Sequence, residues 1–98
     1  DFLKDLTLFE NSSTNKKLSN KIKEKFDIII DDGDHHPNAM INTFLNFYNK
    51  LNKNGIYLIE DVKTKRYKPV KNFLNSNRIK FIYEKTVKSG IIIIYKNS

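Results

Sequence analysis

Short apolar runs along the chain alternate with a longer stretch in which apolar residues recur at steps of three and four. The runs at 27–31 and 56–60 are apolar at nearly every position before their acidic ends, which is typical of strands buried on both faces of a parallel sheet. The segment 37–52 between them has one apolar face at helical spacing. Pro37 suits the first turn of this helix, and Gly55 is expected to close it. The apolar residues of that face are Met40, Ile41, Phe44, Leu45, Tyr48 and Leu51.

The flanking segments give weaker signals. Helical spacing of Phe2, Leu3, Leu6 and Phe9 predicts a short amphipathic helix over 1–10. A polar loop is expected at 11–15, a weak helix or turn at 16–25, and a short helix that Pro69 opens, with Val70, Phe73 and Leu74 as its apolar residues. The segments 79–85 and 91–96 are strands close enough in sequence to pair as an antiparallel hairpin.

A strand–helix–strand unit has a right-handed crossover, so its two strands run parallel. The fold class is therefore α/β, with parallel strands followed by an antiparallel hairpin, and no internal domain boundary is visible in 1–98. The parallel strands bring four acids to the carboxyl edge of the sheet, where open α/β sheets bind ligands. These acids are Asp31, Asp32, Glu60 and Asp61.

Clustered carboxylates repel one another unless a cation or protons intervene. Oxygen ligands suit Mg²⁺, Ca²⁺ or Mn²⁺, so the acids at this edge form a candidate metal site. Asp31 and Asp34 have the alternative role of turn or cap residues, because Asp accepts bonds from free N–H groups. A histidine beside carboxylates titrates near neutrality and accepts a proton, and the candidates are His35 and, in a supporting role, His36.

Two stretches resemble a known family. D-D-G-D-H-H-P at 31–37 and N-G-I-Y-L-I-E-D at 54–61 resemble the metal-dependent sugar O-methyltransferases of macrolide biosynthesis, the macrocin and mycinamicin type. These are class I S-adenosylmethionine (SAM) methyltransferases. The resemblance implies that Asp32, Glu60 and Asp61 bind Mg²⁺ and that His35 is the general base. Asp34 stands where the family usually has Ser, and Asn54 stands where it usually has Gly.

The family also implies a SAM site that the sequence does not provide. Its Rossmann-like fold binds SAM mainly on a Gly-rich turn after the first strand, but the three glycines here are isolated, at positions 33, 55 and 90. The resemblance therefore implies a partial domain, the carboxyl half of the fold with the cofactor-binding half absent. No SAM-binding residue is assigned. We expect the isolated chain to be inactive, to fail to bind SAM, and to be marginally stable or to self-associate, since strand 27–31 would lack a partner on one edge and a helix layer over its surface.

Composition limits the alternatives. The chain has 98 residues, no cysteine and 39% hydrophobic residues, so a core is feasible without disulfides or thiolate zinc. No apolar run approaches a membrane span and no signal peptide is visible, which predicts a soluble cytoplasmic protein. The net charge of +7 is compatible with nucleic-acid binding. The lysines are scattered along the chain, however, so a basic nucleic-acid-binding module is the less favoured hypothesis.

The leading function is the carboxyl-terminal part of a Mg²⁺- and SAM-dependent O-methyltransferase that acts on a sugar or another small-molecule hydroxyl. The alternative from a different class is a non-catalytic remnant or interaction domain of the same fold. The basic loop at 62–68, with Lys63, Lys65 and Arg66, is a solvated loop or a lid over an anionic or sugar substrate. The methyl acceptor is not identified by the sequence.

Overall fold

The computed structural model describes residues 3–9 and 16–97. In this part of the chain, strands and helices alternate until a closing hairpin. The helices are α1 (Lys16–Lys21), α2 (Pro37–Phe47) and α3 (Tyr67–Ser76), and short 3₁₀ turns cover Tyr48–Lys50 and Thr64–Arg66. The strands are β1 (Asp5–Phe9), β2 (Phe26–Asp32), β3 (Leu51–Ile59), β4 (Phe81–Lys85) and β5 (Gly90–Tyr95).

The strands form one sheet in the order β1-β2-β3-β5-β4. β1, β2 and β3 are parallel, and Ile29 lies opposite Tyr57 in the β2–β3 register. β5 runs antiparallel to both β3 and β4. This arrangement confirms the predicted α/β fold class, with parallel strands closed by an antiparallel hairpin. Because β2 and β3 are parallel, the acids that follow them lie at the same edge of the sheet.

Alternation along the strands divides the sheet into two faces with different surroundings. On one face, α2 and α3 cover the sheet, and the Phe44 ring meets the Tyr57 ring edge-on with centroids 5.1 Å apart. Burial of this apolar surface is the main stabilising contribution to the fold. The sheet residues of this buried face are Leu8, Ile29, Tyr57, Ile59, Ile92 and Ile94, and the helices contribute Met40, Phe44, Phe47, Val70 and Leu74.

The opposite face, which we call the open face, is also apolar. Ile82, Ile91 and Tyr95 on this face keep 46%, 38% and 52% of their surface exposed. Among the described residues, the core side chains of β2 after Ile28, and those of β3 and β5, all lie on the buried face. The core residues of the helices pack against that face and leave the open face uncovered. The apolar residues of the open face are Ile28, Ile30, Ile56, Leu58, Ile82, Ile91, Ile93 and Tyr95.

The predicted helix over 1–10 is wrong for the residues that the structure describes, since Asp5–Phe9 is strand β1. Leu6 and Leu8 face the helices, opposite Ile29 and Asp31 of β2. The helical spacing of apolar residues is coincidental, and ladder pairing with β2 overrides it. Residues 1, 2, 10 and the predicted polar loop at 11–15 lie outside the described part.

The expectation that strand 27–31 lacks a partner on one edge is also wrong, because β1 pairs there and takes the edge position.

The end of the central helix also differs from the prediction. α2 ends at Phe47, a 3₁₀ turn follows, and β3 already begins at Leu51. Gly55 therefore does not close a helix but lies inside β3. A Cβ at this position would lie 2.7 Å from Leu51 Cδ1 and 2.8 Å from the Asn52 carbonyl oxygen, so the close approach of the chain requires glycine. Asn54 before it takes a left-handed conformation with φ of 67°.

The other predicted elements are present with shifted ends. The weak helix or turn at 16–25 is α1, and the short helix near Pro69 is α3, which begins two residues earlier. The hairpin strands begin at Phe81 and Gly90. None of the helices in the described residues is long and apolar enough to cross a membrane.

Candidate active site

The site lies where β2 and β3 end side by side. The Glu60 backbone N–H donates to the Asp31 carbonyl at 3.1 Å, so the parallel ladder continues to the last residues of both strands. Asp31 pairs in register with Ile59, and Asp32 and Glu60 are the next positions along each strand. Both side chains are half-buried. The structure thus brings two of the three candidate ligands to neighbouring positions at one edge of the sheet.

The turn after β2 is built by the acids of the D-D-G-D motif. The Gly33 N–H donates to Asp31 Oδ1 at 3.0 Å, and the His36 N–H donates to Asp34 Oδ1 at 2.9 Å. Asp31 and Asp34 therefore act as turn residues. The bond from the His36 N–H is the main cause that lowers the pKa of Asp34. His36 Nδ1 also lies 2.6 Å from Asp34 Oδ1, so this imidazole faces Asp34.

His35 points toward the end of β3. Its Nε2 lies 3.6 Å from Asp61 Oδ2, and its side chain is 34% exposed. The Arg66 guanidinium donates to the His35 carbonyl oxygen at 3.4 Å, which links this turn to the loop after β3. An imidazole that is partly exposed and faces a carboxylate can accept a proton from a bound hydroxyl.

Asp61 has several partners. It has a left-handed conformation with φ of 53°, which turns the chain sharply after β3. The Ser89 hydroxyl donates to Asp61 Oδ1 at 2.7 Å, and Lys63 Nζ lies 3.3 Å from the same oxygen. The Ser89 and Lys63 contacts lower the pKa of Asp61. Asp61 is therefore held as a carboxylate by partners from two loops.

Asp31 is the buried acid of the site. Its side chain lies on the face covered by helices and is 2% exposed, and Oδ2 has no hydrogen-bond partner within the described residues. Burial raises the pKa of Asp31 to about 6, although the bond from the Gly33 N–H opposes this shift. On the same face, the buried Tyr57 hydroxyl also lacks a partner in the described part, and burial raises the pKa of Tyr57 well above its ordinary value.

Within residues 3–9 and 16–97, no group of three or more His, Asp or Glu side chains is arranged to hold a metal ion. The donor chemistry nevertheless fits Mg²⁺, because Asp32, Glu60 and Asp61 offer only carboxylate oxygens at one edge. Asp61 is the member that already has partners, since its Oδ1 accepts from Ser89 and lies near Lys63. Ligation by Asp61 would use Oδ2, which faces His35, or would displace Ser89 and Lys63 from Oδ1.

Sequence patterns did not indicate the partners of Asp61. Ser89 belongs to no motif of the sequence, and Lys63 stands out only as part of the basic loop at 62–68. Ser89 reaches Asp61 from 28 positions away because β5 pairs with β3 and returns the β4–β5 turn to the carboxyl edge. The burial of Asp31 could be predicted from the alternation of side chains along β2. Asp31 lies two positions after Ile29, so both side chains are on the same face of the sheet.

The fold of the chain is similar to part of a known methyltransferase structure. The MycE methyltransferase from the mycinamycin biosynthetic pathway, in complex with Mg and SAH, matches 89% of this chain at 14% identity with a TM-score of 0.61. A second structure of MycE, with Mg, SAH and mycinamycin VI, matches 89% at 16% identity with a TM-score of 0.64. The chain therefore shares the fold of the matched part of MycE. In both comparisons it spans 31% of the length of the MycE chain. No protein-family model and no curated protein sequence matches the chain.

Proposed function

We propose that the chain is the carboxyl-terminal part of a Mg²⁺-dependent O-methyltransferase that transfers the methyl group of SAM to a sugar or another small-molecule hydroxyl. The observation that carries the proposal is the meeting of His35 and Asp61 at 3.6 Å at the ends of two parallel strands. Ligands bind at this edge in open α/β sheets. The likeness to MycE, whose solved structures contain Mg and SAH and in one case mycinamycin VI, supports the same reaction class.

The roles follow from the chemistry of the side chains. Asp32, Glu60 and Asp61 would hold Mg²⁺, which lowers the pKa of a nearby hydroxyl. His35 Nε2 accepts the hydroxyl proton as the oxygen forms its bond to the methyl carbon. The bond from that carbon to sulfur breaks, and S-adenosylhomocysteine leaves. Asp61 faces the imidazole and stabilises its protonated form through the 3.6 Å contact.

The partners of Asp61 favour a second candidate, a non-catalytic remnant of the fold. A carboxylate bound to Ser89 and paired with Lys63 is neutralised without a metal ion, and the described residues do not gather three ligands. In this candidate, the same contacts would serve only to join the loops at the edge of the sheet. The two candidates differ in whether Asp32, Glu60 and Asp61 bind Mg²⁺.

Metal binding and methyl transfer test the proposal separately. Mn²⁺ added to the ¹⁵N-labelled chain should broaden the amide signals of Asp32, Glu60 and Asp61 first, and excess Mg²⁺ should restore them. In the longer protein that holds this chain, transfer of labelled methyl from SAM to hydroxyl acceptors should stop when a chelator removes Mg²⁺. Calorimetry should detect no SAM binding by the 98 residues alone. Absence of any Mn²⁺ effect at these three positions, with no methyl transfer, would establish the remnant.

A further inference from the structure

A cavity opens beside the candidate site, on the side of the loop that follows Asp61. Its volume is about 310 Å³, and it is lined by Lys63, Thr64, Lys65 and Lys88. Lys63 connects the cavity to the site, because its Nζ lies 3.3 Å from Asp61 Oδ1. Lys88 lies next to Ser89, the hydroxyl donor to Asp61. The cavity and the candidate site therefore share a wall.

The lining is strongly positive. Three of its four residues are lysines, and Lys63 is the one with an ion-pair partner among the described residues. Neither Lys65 nor Lys88 lies within ion-pair distance of a described carboxylate. Like charges around one hollow repel each other, and low-dielectric walls concentrate their potential. A bound anion would relieve this repulsion.

Backbone and side-chain bonds hold the walls in place without a ligand. The Val62 N–H donates to the Gly90 carbonyl at 2.8 Å, and the Thr64 N–H donates to the Lys88 carbonyl at 3.1 Å. The Tyr83 hydroxyl donates to the Val62 carbonyl at 2.8 Å. These bonds join the loop after β3 to the β4–β5 turn, so the lysines come from two segments that are fixed to each other. Preorganisation of this kind lowers the entropic cost of binding.

We propose that this cavity binds an anionic group, a phosphate or a carboxylate, of the molecule whose hydroxyl is methylated. The identity of that molecule as the acceptor rests on the proposed function. Lysines bind phosphate and carboxylate as point charges, and the Thr64 hydroxyl adds a neutral donor. The volume is near the lower limit of ligand pockets and exceeds the size of the anion alone, so part of the attached ring also fits. An anion held here places the rest of the acceptor toward Asp61 and His35.

Titration of the ¹⁵N-labelled chain tests the cavity directly, with amide shifts as the readout. Glucose 6-phosphate and glucuronate serve as anionic probes, and glucose is the uncharged probe of the same skeleton. Both anions should shift the amides of Thr64, Lys65 and Lys88 in a saturable manner, whereas glucose should not. Equal shifts with glucose, or no saturable shift with either anion, would overturn the proposal.

Charge-removing variants localise the binding. Lys65→Gln with Lys88→Gln should weaken binding of glucose 6-phosphate by about tenfold or more, because both unpaired charges of the cavity are lost. The matched control is Lys23→Gln with Lys25→Gln, which removes the same charge near the start of β2 at the opposite edge. The control should change the affinity less than about twofold. Equal weakening in both pairs would mean that only net charge matters, and the cavity assignment would fail.

Two competing ligands complete the test. SAM alone should leave the amides of Lys65 and Lys88 unshifted. Lys65→Gln with Lys88→Gln should weaken binding of a single-stranded oligonucleotide no more than the control pair Lys23→Gln with Lys25→Gln does. Shifts at these lysines with SAM would assign the cavity to the cofactor. Tighter binding of the oligonucleotide than of the sugar phosphate, lost in the same variant, would assign it to nucleic acid. Either result would overturn the proposal.

The longer protein separates this inference from the proposed function. Lys65→Gln with Lys88→Gln should raise KM for an acidic acceptor about tenfold, while the affinities for Mg²⁺ and SAM stay unchanged. Methyl transfer that depends on Mg²⁺ but has no preference for acidic acceptors would uphold the proposed function and overturn this inference. Saturable anion binding by the cavity without any methyl transfer would uphold the cavity and overturn the proposed function.

Discussion

His35 and Asp61 face each other across the gap between β2 and β3, with Nε2 and Oδ2 3.6 Å apart. They come from different turns, one after each parallel strand, and 26 positions separate them in the sequence. Arg66 adds a second link by donating to the His35 carbonyl at 3.4 Å. The imidazole is therefore oriented by the loop after β3. Any change in that loop alters the position of the candidate base.

Removal of this imidazole tests its role as the general base. In the proposed methyltransferase that includes this chain, His35→Ala should lower turnover by roughly 10²–10⁴-fold, the usual effect of losing a positioned base. The affinities for SAM and for the acceptor should change little. Steady-state kinetics and calorimetry measure the two effects separately.

His36→Ala is the matched control, because His36 is 69% exposed and lies against Asp34. This variant should keep most of the turnover. If His35→Ala reduces SAM affinity and leaves turnover at saturation intact, His35 binds cofactor and is not the base.

Asp32 and Glu60 are expected to be metal ligands. Asp32→Asn and Glu60→Gln remove one negative charge each while keeping the size of the side chain. Both variants should weaken Mg²⁺ binding and reduce turnover, because the remaining acids hold the ion with less charge. Mn²⁺-induced broadening of amide signals reports binding in the chain itself.

Glu24→Gln is the control for these variants, since Glu24 is exposed and precedes β2, at the edge of the sheet opposite the candidate ligands. It should leave metal affinity unchanged. Normal activity of Asp32→Asn and Glu60→Gln in the presence of a chelator would contradict the metal site.

The buried carboxyl of Asp31 predicts an unusual pH dependence of stability. Burial raises its pKa from 3.8 to about 6 in the folded chain, so the folded state binds this proton more tightly than the unfolded state does. The stabilising contribution is complete below 3.8 and is lost as the pH rises through 6. The free energy of unfolding should therefore fall by about 3 kcal/mol across this window.

Urea denaturation at several pH values, in buffers that contain a chelator, measures how the free energy of unfolding changes with pH. Asp31→Asn should remove this change, because an amide does not titrate. Asp27, Asp34 and Asp61 have lowered pKa values, so their contributions to the free energy of unfolding change mainly below pH 3.8. They therefore do not mask the effect of Asp31 between pH 3.8 and 6. A wild-type stability that stays constant or rises between pH 4 and 6 would show that Asp31 is ionised inside the fold.

The open face predicts self-association of the isolated chain. Ile82 and Ile91 expose 46% and 38% of their surface on neighbouring strands, within a larger apolar surface. Burial of this surface against a second copy removes it from water. Sedimentation coefficients should therefore rise with protein concentration.

Ile82→Lys with Ile91→Lys should reduce this concentration dependence, because buried ammonium groups oppose association. Leu45→Lys is the control, since Leu45 is 60% exposed on α2 and lies outside the open face. Association that persists in the double variant and disappears with Leu45→Lys would place the contact on the helices.

The central elements could be predicted because each has a local pattern. β-branched runs at 28–30 and apolar residues at 56–59 indicate buried strands, and the acids at their ends follow from the sequence itself. β1 could not be predicted in the same way. Asp5–Phe9 becomes a strand because β2 offers it a parallel ladder, and that partner lies more than 20 positions away. The local spacing of four apolar residues favoured a helix.

The candidate site likewise contains residues that local motifs predict and residues that only the folded chain brings together. Residues on the turns directly after β2 and β3, such as His35 and Asp61, were identifiable from their own motifs. Ser89, Lys63 and Lys88 were not, because their relation to Asp61 depends on the register between β3 and β5. No spacing rule connects Ser89 to Asp61 in the sequence.

The described residues have core helices on one face of the sheet only, which affects how melting of this chain is observed. Fluorescent dyes that brighten on apolar surfaces normally report unfolding, because folded proteins hide such surfaces. Here Ile82, Ile91 and Tyr95 are exposed in the native sheet of a single copy, so at concentrations too low for self-association the dye has a binding surface before any heating. Fluorescence should start high and fall or stay flat as the sheet melts. Circular dichroism, which follows the backbone, should show the transition that the dye does not.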